Sequence, residues 1–147
     1  MRKAAHTVGK RQNEQFFNSF IELDKTCSAM FNIVSDGVGE YINRLNNARF
    51  APGREDVLPR LVRYRNIHKR FNYEPGAINK DNEITKDDIN WVVKFKKDVV
   101  ARRDPISQYL KKAKRYAFKK KAVAVIWVVL IVAVVALGVG LYFALAN

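Results

Sequence analysis

The chain has 147 residues, with 27 Lys and Arg against 14 Asp and Glu, so its formal net charge is +13. This length allows one domain and a short appendage. The single cysteine, Cys27, excludes an internal disulfide, which agrees with a reducing compartment. Cys27 falls within an apolar helical stripe, so we expect a core thiol rather than a nucleophile.

The first helix is predicted over residues 14–34, because apolar side chains recur there at steps of three and four and so share one face. Residues 1–12, which are basic and polar, predict a disordered tail. Ser35-Asp36-Gly37 breaks the pattern and can cap a short second helix. The apolar residues of the two helices are Phe16, Phe20, Leu23, Cys27, Met30 and Val34, widened by Phe17, Ile21 and Phe31, and then Val38, Tyr41, Ile42 and Leu45.

A third helix is predicted from about Arg54 to Tyr73, with Pro59 near its start, where proline is tolerated. Residues 77–84 predict a polar loop, closed by a capping box of Thr85 and Asp88 that begins a fourth helix. The inward-facing residues of the third helix are predicted to be Val57, Leu58, Leu61, Val62 and Phe71. The fourth helix carries Ile89, Val92, Val93, Phe95, Val99 and Val100, with Trp91 beside them.

A last helix is predicted to begin at Asp104-Pro105, with Asp at the N-cap and Pro at the first helical position. Its first turns are expected to pack on the domain through Ile106, Leu110 and Ala113. Strand signals are nearly absent. The predicted fold is therefore all-α, with a four- to five-helix bundle over residues 13–110 followed by a long C-terminal transmembrane helix.

The span from Ala122 to Ala146 contains 25 residues and no charged side chain. As a helix it would be about 37 Å long, against a hydrocarbon core of roughly 30 Å. Fifteen of its residues are Val, Ile, Leu or Phe, which favour the bilayer by roughly 4 to 9 kcal/mol together. The sequence therefore predicts a single-pass tail anchor.

The segment 111–121 is strongly basic and contains no acid. Its seven cations are Lys111, Lys112, Lys114, Arg115, Lys119, Lys120 and Lys121. The positive-inside rule then predicts that the amino-terminal domain is cytoplasmic, and anionic lipid head groups are the expected partner of the basic segment. A nucleic-acid patch is the alternative interpretation of this cluster.

The common catalytic patterns are absent from the sequence, including phosphate-binding glycine loops, paired cysteines and zinc-protease motifs. No cofactor or metal site is predicted. Asp87 and Asp88 form the closest acidic pair, which charge at a helix start explains. The segment that stands out is Arg63-Tyr64-Arg65-Asn66-Ile67-His68-Lys69-Arg70-Phe71-Asn72-Tyr73-Glu74. Two helical turns separate Arg65 from Asn72, so their side chains are predicted to share a face.

This segment resembles the motif of the HEPN superfamily, compact helical bundles in which an Arg-polar pair is followed, after four to six residues, by a His. The resemblance covers roughly residues 11–110 by fold pattern and Arg65 to Glu74 by motif. Members of the superfamily are commonly metal-independent ribonucleases of toxin–antitoxin and phage-defence systems, and they dimerise so that two motifs line one cleft. The resemblance implies that Arg65 holds the scissile phosphate and Asn66 shapes the site.

The chain departs from this pattern at one position, because Asn72 stands where the His is expected. An amide does not transfer protons near neutral pH, so acid–base catalysis lacks its agent. His68 is the nearest substitute, at a spacing shorter than the family's. The alternative interpretation is a solvated helix face, with Arg65 paired to a carboxylate and Asn72 helping to end the helix.

The predicted function is a tail-anchored, cytoplasm-facing domain that binds or cleaves RNA or a nucleotide. The alternatives are a non-enzymatic membrane adaptor that recruits a protein partner, and a small membrane-disrupting toxin. Ala136, Gly140 and Ala144 lie four residues apart in the span, a spacing that allows close helix approach and fits a homodimer.

Overall fold

The computed structural model describes residues 2–80, 84–116, 126–127 and 130. Over these residues the chain is largely helical and contains no strand, so the prediction of an all-α fold is confirmed. Residues 105–116 are helical as well. The helices with defined bounds are α1 (Arg2–Phe31), α2 (Gly37–Asn47), α3 (Arg54–Tyr73), α4 (Ala77–Lys80) and α5 (Lys86–Val100).

The chain divides into two compact units, Met1–Tyr109 and Leu110–Asn147. In the first unit, α1 is the central helix and contacts each of α2, α3, α4 and α5. Its predicted apolar stripe explains this position, because the stripe supplies much of the core: Phe16, Phe20, Leu23 and Cys27 are all buried. Each large side chain removed from water in this way contributes roughly 1.5–3 kcal/mol to folding.

Cys27 lies in this core, as its position in the stripe predicted, and is 0% exposed. Burial raises the pKa of its thiol to about 12, and the negative charges of Asp24 and Asp104 add to the rise. The thiolate is therefore negligible at neutral pH, which makes Cys27 an inert core residue.

The first helix is longer at its start than the sequence predicted. α1 begins at Arg2, so it includes the segment 1–12 that was expected to be disordered, apart from Met1. Gly9 and Asn13 are buried, and the Asn13 Nδ2 donates a hydrogen bond to the carbonyl of Ile78 at 2.8 Å. That carbonyl belongs to α4, which lies where the sequence predicted a polar loop.

The first helix also ends earlier than predicted. Asn32 adopts the left-handed conformation, with φ at 56°, and the Ile33 amide returns to the Ser28 carbonyl at 3.0 Å. This is the hydrogen bond that commonly closes a helix. The chain leaves the helical path at this point, so Val34 is fully exposed and its predicted place in the apolar face is wrong.

Four other apolar predictions also fail. Val62 is partly exposed on α3, and Val100 and Leu110 are exposed, as is Ala113. The step of three or four residues places a side chain on a helix face only approximately. Residues at the margin of that face therefore reach solvent.

The capping box predicted for α5 is present. Thr85 Oγ1 accepts from the Asp88 amide, and the Asp88 carboxylate accepts from the Thr85 amide. Asp88 Oδ1 also accepts from the Tyr64 hydroxyl at 2.7 Å and from Arg63 at 3.2 Å. Burial alone would raise the pKa of Asp88, but these hydrogen bonds and the Arg63 charge outweigh it and hold the pKa below its ordinary value.

Candidate functional site

A cleft of about 450 Å³ lies beside α3 and contains most of the residues that the sequence singled out. Arg65, His68 and Asn72 all line it, so the predicted shared face of Arg65 and Asn72 exists. The three lie one turn apart in succession on one helix, which explains their convergence. The remaining lining residues are Phe20, Asp24, Ser35, Asp36, Lys69 and Tyr73.

Asn66 does not belong to this cleft. It directly follows Arg65, and one residue along a helix turns the side chain by about 100°. Asn66 is exposed and is absent from the cleft lining. The geometry of α3 therefore separates the two members of the Arg-polar pair that the resemblance placed in one site.

Arg65 is held by a carboxylate from the α1–α2 connection. Its Nε donates to Asp36 Oδ1 at 3.1 Å, and its Nη2 donates to Asp36 Oδ2, so the contact has two points. The Arg65 side chain is 27% exposed and that of Asp36 is 57% exposed. This pairing agrees with the interpretation of Arg65 as a residue with a carboxylate partner.

His68, which lines the cleft, is packed on two aromatic rings of α1. Its imidazole stacks on Phe17 with a centroid distance of 4.9 Å and on Phe20 at 4.7 Å. Its Nε2 is buried and has no hydrogen-bond partner among the described residues. Burial lowers the pKa of His68, which the charge of Asp24 opposes in part. His68 is therefore neutral at pH 7, and its exchange of protons with a ligand is hindered by burial.

Two carboxylates of the cleft were not identified as site residues from the sequence. Asp36 was predicted as the cap of the second helix, but its side chain makes no capping hydrogen bond. Asp24 takes that part instead, because its Oδ1 accepts from the Val38 amide at 2.8 Å. Neighbouring residues in the sequence indicate neither the capping by Asp24 nor the pairing of Asp36 with Arg65, since each contact joins residues at least 14 positions apart.

The charges of the cleft are balanced, with Arg65 and Lys69 facing Asp24 and Asp36. Because these charges cancel, the cleft has little long-range attraction for an anion. An anion that binds there would instead replace a carboxylate in its pair with a cation. Within the part of the chain that the structure describes, no three His, Cys, Asp or Glu side chains lie close enough together to hold a metal ion.

The basic segment predicted to lie at the membrane surface is described in part. Lys111, Lys112, Lys114 and Arg115 lie on helical backbone and are exposed. Lys119, Lys120 and Lys121 fall outside the described residues, as does nearly all of the predicted span Ala122–Ala146. Among the residues described, no helix is both long enough and apolar enough to cross a membrane.

Comparison with known proteins places the chain in one family. The model of a family of unknown function, DUF6548, matches residues 14–125, which is about three quarters of the sequence. The chain therefore belongs to this family. No curated protein and no solved structure matches it.

Proposed function

We propose that this protein is a membrane-tethered helical domain that binds single-stranded RNA or a nucleotide in the cleft beside α3, without cleaving it. The observation that carries the proposal is the convergence of Arg65, His68 and Asn72 with Lys69 and Tyr73 on one concave surface. The resemblance of this segment to HEPN domains suggested the ligand, and the geometry favours binding over catalysis.

Arg65 can exchange its carboxylate for a phosphate. An exposed ion pair contributes only about 0–1 kcal/mol, and more than half of the Asp36 side chain is in contact with solvent. The two-point geometry that Arg65 offers to Asp36 is also the geometry with which a guanidinium binds a phosphate. Lys69 is exposed beside it and supplies a second cation.

Tyr73 and Asn72 suit the base of a nucleotide. Tyr73 is one of the most exposed aromatic side chains of the first unit, and unstacked bases bind such rings by stacking. The Asn72 amide is exposed on the same surface and can both donate and accept hydrogen bonds. A ligand would thus contact a cation, an aromatic ring and an amide within one cleft.

Cleavage is disfavoured by the state of the two candidate proton carriers. Asn72 does not titrate near neutral pH, and His68 is stacked on two phenyl rings and held neutral by a lowered pKa. General acid–base catalysis needs a group with a pKa near the working pH that reaches the reacting atoms. We therefore propose a binding domain rather than an active ribonuclease.

The tether is part of the proposal. An anchor at Ala122–Ala146 and a basic segment before it would hold the domain at an anionic cytoplasmic surface. The cleft would then capture RNA or nucleotide close to the membrane. A second copy paired through the span would place two clefts side by side, as in the resembling superfamily.

The test is fluorescence anisotropy of a labelled single-stranded RNA of about 12 nucleotides with the full chain in detergent micelles. Arg65→Ala is expected to weaken binding about tenfold or more, the usual effect of losing a charge-assisted contact. The matched control is Arg63→Ala, on the same helix but paired with Asp88 outside the cleft. Equal weakening by both variants would show that the RNA is bound by non-specific charge attraction, which would contradict the proposal.

The same samples decide between binding and cleavage. The RNA is expected to stay intact on a denaturing gel after long incubation. Cleavage by the parent protein that is lost in Arg65→Ala would contradict binding without cleavage and would support an active ribonuclease. Cleavage that persists in that variant would indicate a contaminating nuclease and require a cleaner preparation before the gel is read.

A protein-recruiting adaptor is a second candidate, favoured by a neighbouring cavity of about 480 Å³. Its lining includes the fully exposed Val34 together with Ile21, Ala29 and Ile33. A partner cross-linked to the full chain in cells should then be lost with Val34→Asp and retained with Arg65→Ala. The reverse pattern would count against the adaptor.

A further inference from the structure

The cleft beside α3 contains one cation that is paired and one that is not. Arg65 donates to both carboxylate oxygens of Asp36. Lys69 is exposed and has no ion-pair partner within the residues that the structure describes. The two cations lie four residues apart on one helix, so they share a face, with their Cβ atoms roughly 5–6 Å apart. An anion that displaces Asp36 from Arg65 can therefore contact two positive charges.

Asp36 competes with any such anion for Arg65. It offers two oxygens and a single negative charge, and an internal phosphodiester of RNA offers the same. A competitor that is part of the same chain acts at an effective concentration on the order of millimolar. Because a phosphodiester brings no additional charge, its contact with Arg65 is largely offset by the loss of the Asp36 pair.

A phosphomonoester differs from a phosphodiester in its charge and in its number of free oxygens. It carries about −1.5 to −2 at pH 7 and has three acceptor oxygens. Two of these oxygens can accept from Arg65 in place of Asp36, and the third oxygen with the additional charge is available to Lys69. A phosphomonoester thus gains a contact that neither Asp36 nor a phosphodiester supplies.

The two carboxylates of the cleft leave room for a doubly charged ligand. Asp36 would return to water, in which 57% of its side chain already lies. Asp24 would stay in place, because its Oδ1 accepts from the Val38 amide at 2.8 Å. That amide belongs to the first turn of α2, and the positive end of this helix partly compensates the Asp24 charge.

The size of the cleft suits one nucleotide rather than a length of chain. Its volume of about 450 Å³ lies in the lower half of the roughly 300–1,000 Å³ found for small-ligand sites. Tyr73, which is 80% exposed, lines it and offers one ring on which one base can stack.

We propose that the cleft selects a terminal phosphomonoester over the internal phosphodiesters of RNA, and that this phosphate displaces Asp36 and bridges Arg65 and Lys69. The inference rests on the proposed binding of RNA or a nucleotide in this cleft. The same chemistry has two sources, the end of an RNA chain and a free mononucleotide.

Fluorescence anisotropy with the full chain in uncharged detergent micelles tests the preference. Three RNAs of about 12 nucleotides, a length within the usual range of single-strand sites, share one sequence and one internal fluorophore. They carry a 5′ phosphate, a 3′ phosphate or hydroxyls at both ends. At least one phosphorylated RNA is expected to bind about tenfold tighter than the hydroxyl RNA, the usual effect of an added charge-assisted contact. A hydroxyl RNA one nucleotide longer, which adds only a phosphodiester charge, should show no such gain.

Substitutions on both sides of the contact test its geometry. Lys69→Gln and Arg65→Ala should each remove most of the preference, whereas Arg63→Ala, outside the cleft, should retain it. Asp36→Asn removes the competitor and should strengthen binding of the phosphorylated RNA about three- to tenfold. Gly39→Ala should act in the same direction without a change of charge, since its Cβ would occupy the place of the Asp36 carboxylate.

The outcomes separate this inference from the proposed function. Equal binding of all three RNAs, still weakened by Arg65→Ala, would overturn the inference and leave the proposed function standing. A preference that persists in both Arg65→Ala and Lys69→Gln would also overturn it, because the phosphate would then bind elsewhere. Weaker binding of phosphorylated RNA by Asp36→Asn would show that Asp36 assists the ligand, which contradicts the competition. If no RNA binds in an Arg65-dependent manner, the proposed function fails, and the inference with it.

Competition identifies the source of the phosphate. Uridine 5′-monophosphate is titrated against the labelled phosphorylated RNA, with uridine as the control. Displacement within about tenfold of the concentration needed of unlabelled phosphorylated RNA would indicate a free mononucleotide as the ligand. Much weaker displacement would indicate the end of an RNA chain. Equal displacement by uridine would contradict the proposal, since the phosphate would then contribute nothing.

Discussion

The Tyr41 hydroxyl donates a hydrogen bond to Asp104 Oδ2 across 63 residues of sequence, at 2.7 Å and with both residues buried. The Ile106 amide in turn donates to the Tyr41 oxygen at 3.4 Å. One phenol thus joins α2 to the start of the helical residues 105–116. Burial, together with the Asp104 charge, raises the pKa of Tyr41, so the phenol stays protonated and remains a donor.

Tyr41→Phe should destabilise the protein by about 1–3 kcal/mol, because the Asp104 carboxylate would lose a donor while remaining buried. The measurement is urea unfolding of the full chain in detergent micelles, followed by circular dichroism. Tyr73→Phe serves as the control, since Tyr73 is 80% exposed and its hydroxyl should contribute little. Equal stability of the two variants would contradict the importance of the buried pair.

Protonation of Asp88 should make the protein less stable in acid. Its folded pKa lies below the ordinary value, so the unfolded chain binds a proton more readily. The stabilising contribution is then fully present above about pH 4 and is lost as the pH falls through the folded pKa. Asp88→Asn should reduce the acid dependence of the unfolding free energy, whereas Asp87→Asn should leave most of it in place.

His68 should produce a second pH dependence at milder acidity. Because burial lowers its folded pKa, protonation favours the unfolded chain, and stability should decline as the pH falls below about 6.5. His68→Phe should flatten the unfolding free energy between about pH 7 and pH 5.5. His6→Gln, which replaces the other histidine, should leave the decline unchanged, and a decline that survives His68→Phe must have another origin.

Gly37→Ala should destabilise the junction of α1 and α2. A Cβ at Gly37 would overlap the backbone of Ser28 and Asp24, which cannot move aside easily. The expected loss is about 1–3 kcal/mol, typical of overpacking. Gly39→Ala is the matched control, since the atoms nearest to its Cβ belong to the Asp36 side chain, which is more than half exposed and can move at the cost of its pair with Arg65. The measurement is thermal unfolding. A lower midpoint for Gly39→Ala than for Gly37→Ala would contradict the close approach of Gly37 to the backbone of α1.

The predicted anchor can be tested by fractionation. A fluorescent fusion of the full chain should sediment with membranes and dissolve only with detergent, while removal of residues 122–147 should release it. Replacing the seven basic residues of 111–121 by Gln should alter orientation or lipid preference rather than abolish membrane binding. Soluble behaviour of the intact fusion would refute the tether.

The sequence was sufficient for two local features of this fold, the core stripe of α1 and the cap of α5. Apolar residues at helical spacing predicted the core stripe of Phe16, Phe20, Leu23 and Cys27, and the Thr85–Asp88 pair predicted a cap that the structure contains. These features depend on side chains within one or two turns of each other. Their physical cause is therefore readable from adjacent residues.

The partners in the cleft needed the tertiary structure. α3 places Arg65 and Asn72 on one face, but the carboxylate that binds Arg65 comes from Asp36, 29 residues earlier. The rings that stack on His68 come from α1. The exposure of Val34 results from the left-handed conformation of Asn32, which ends α1. The apolar periodicity of the sequence does not indicate this break.

The sequence by itself thus determined where the four longer helices α1, α2, α3 and α5 lie, the central part of their apolar faces, and where one long uncharged stretch lies. It did not predict the first turns of α1 or the short helix α4. Only the tertiary structure decided which charges meet, because an ion pair or a stacked ring is chosen by how the helices pack together. Local periodicity specifies a face, whereas long-range packing specifies its partner.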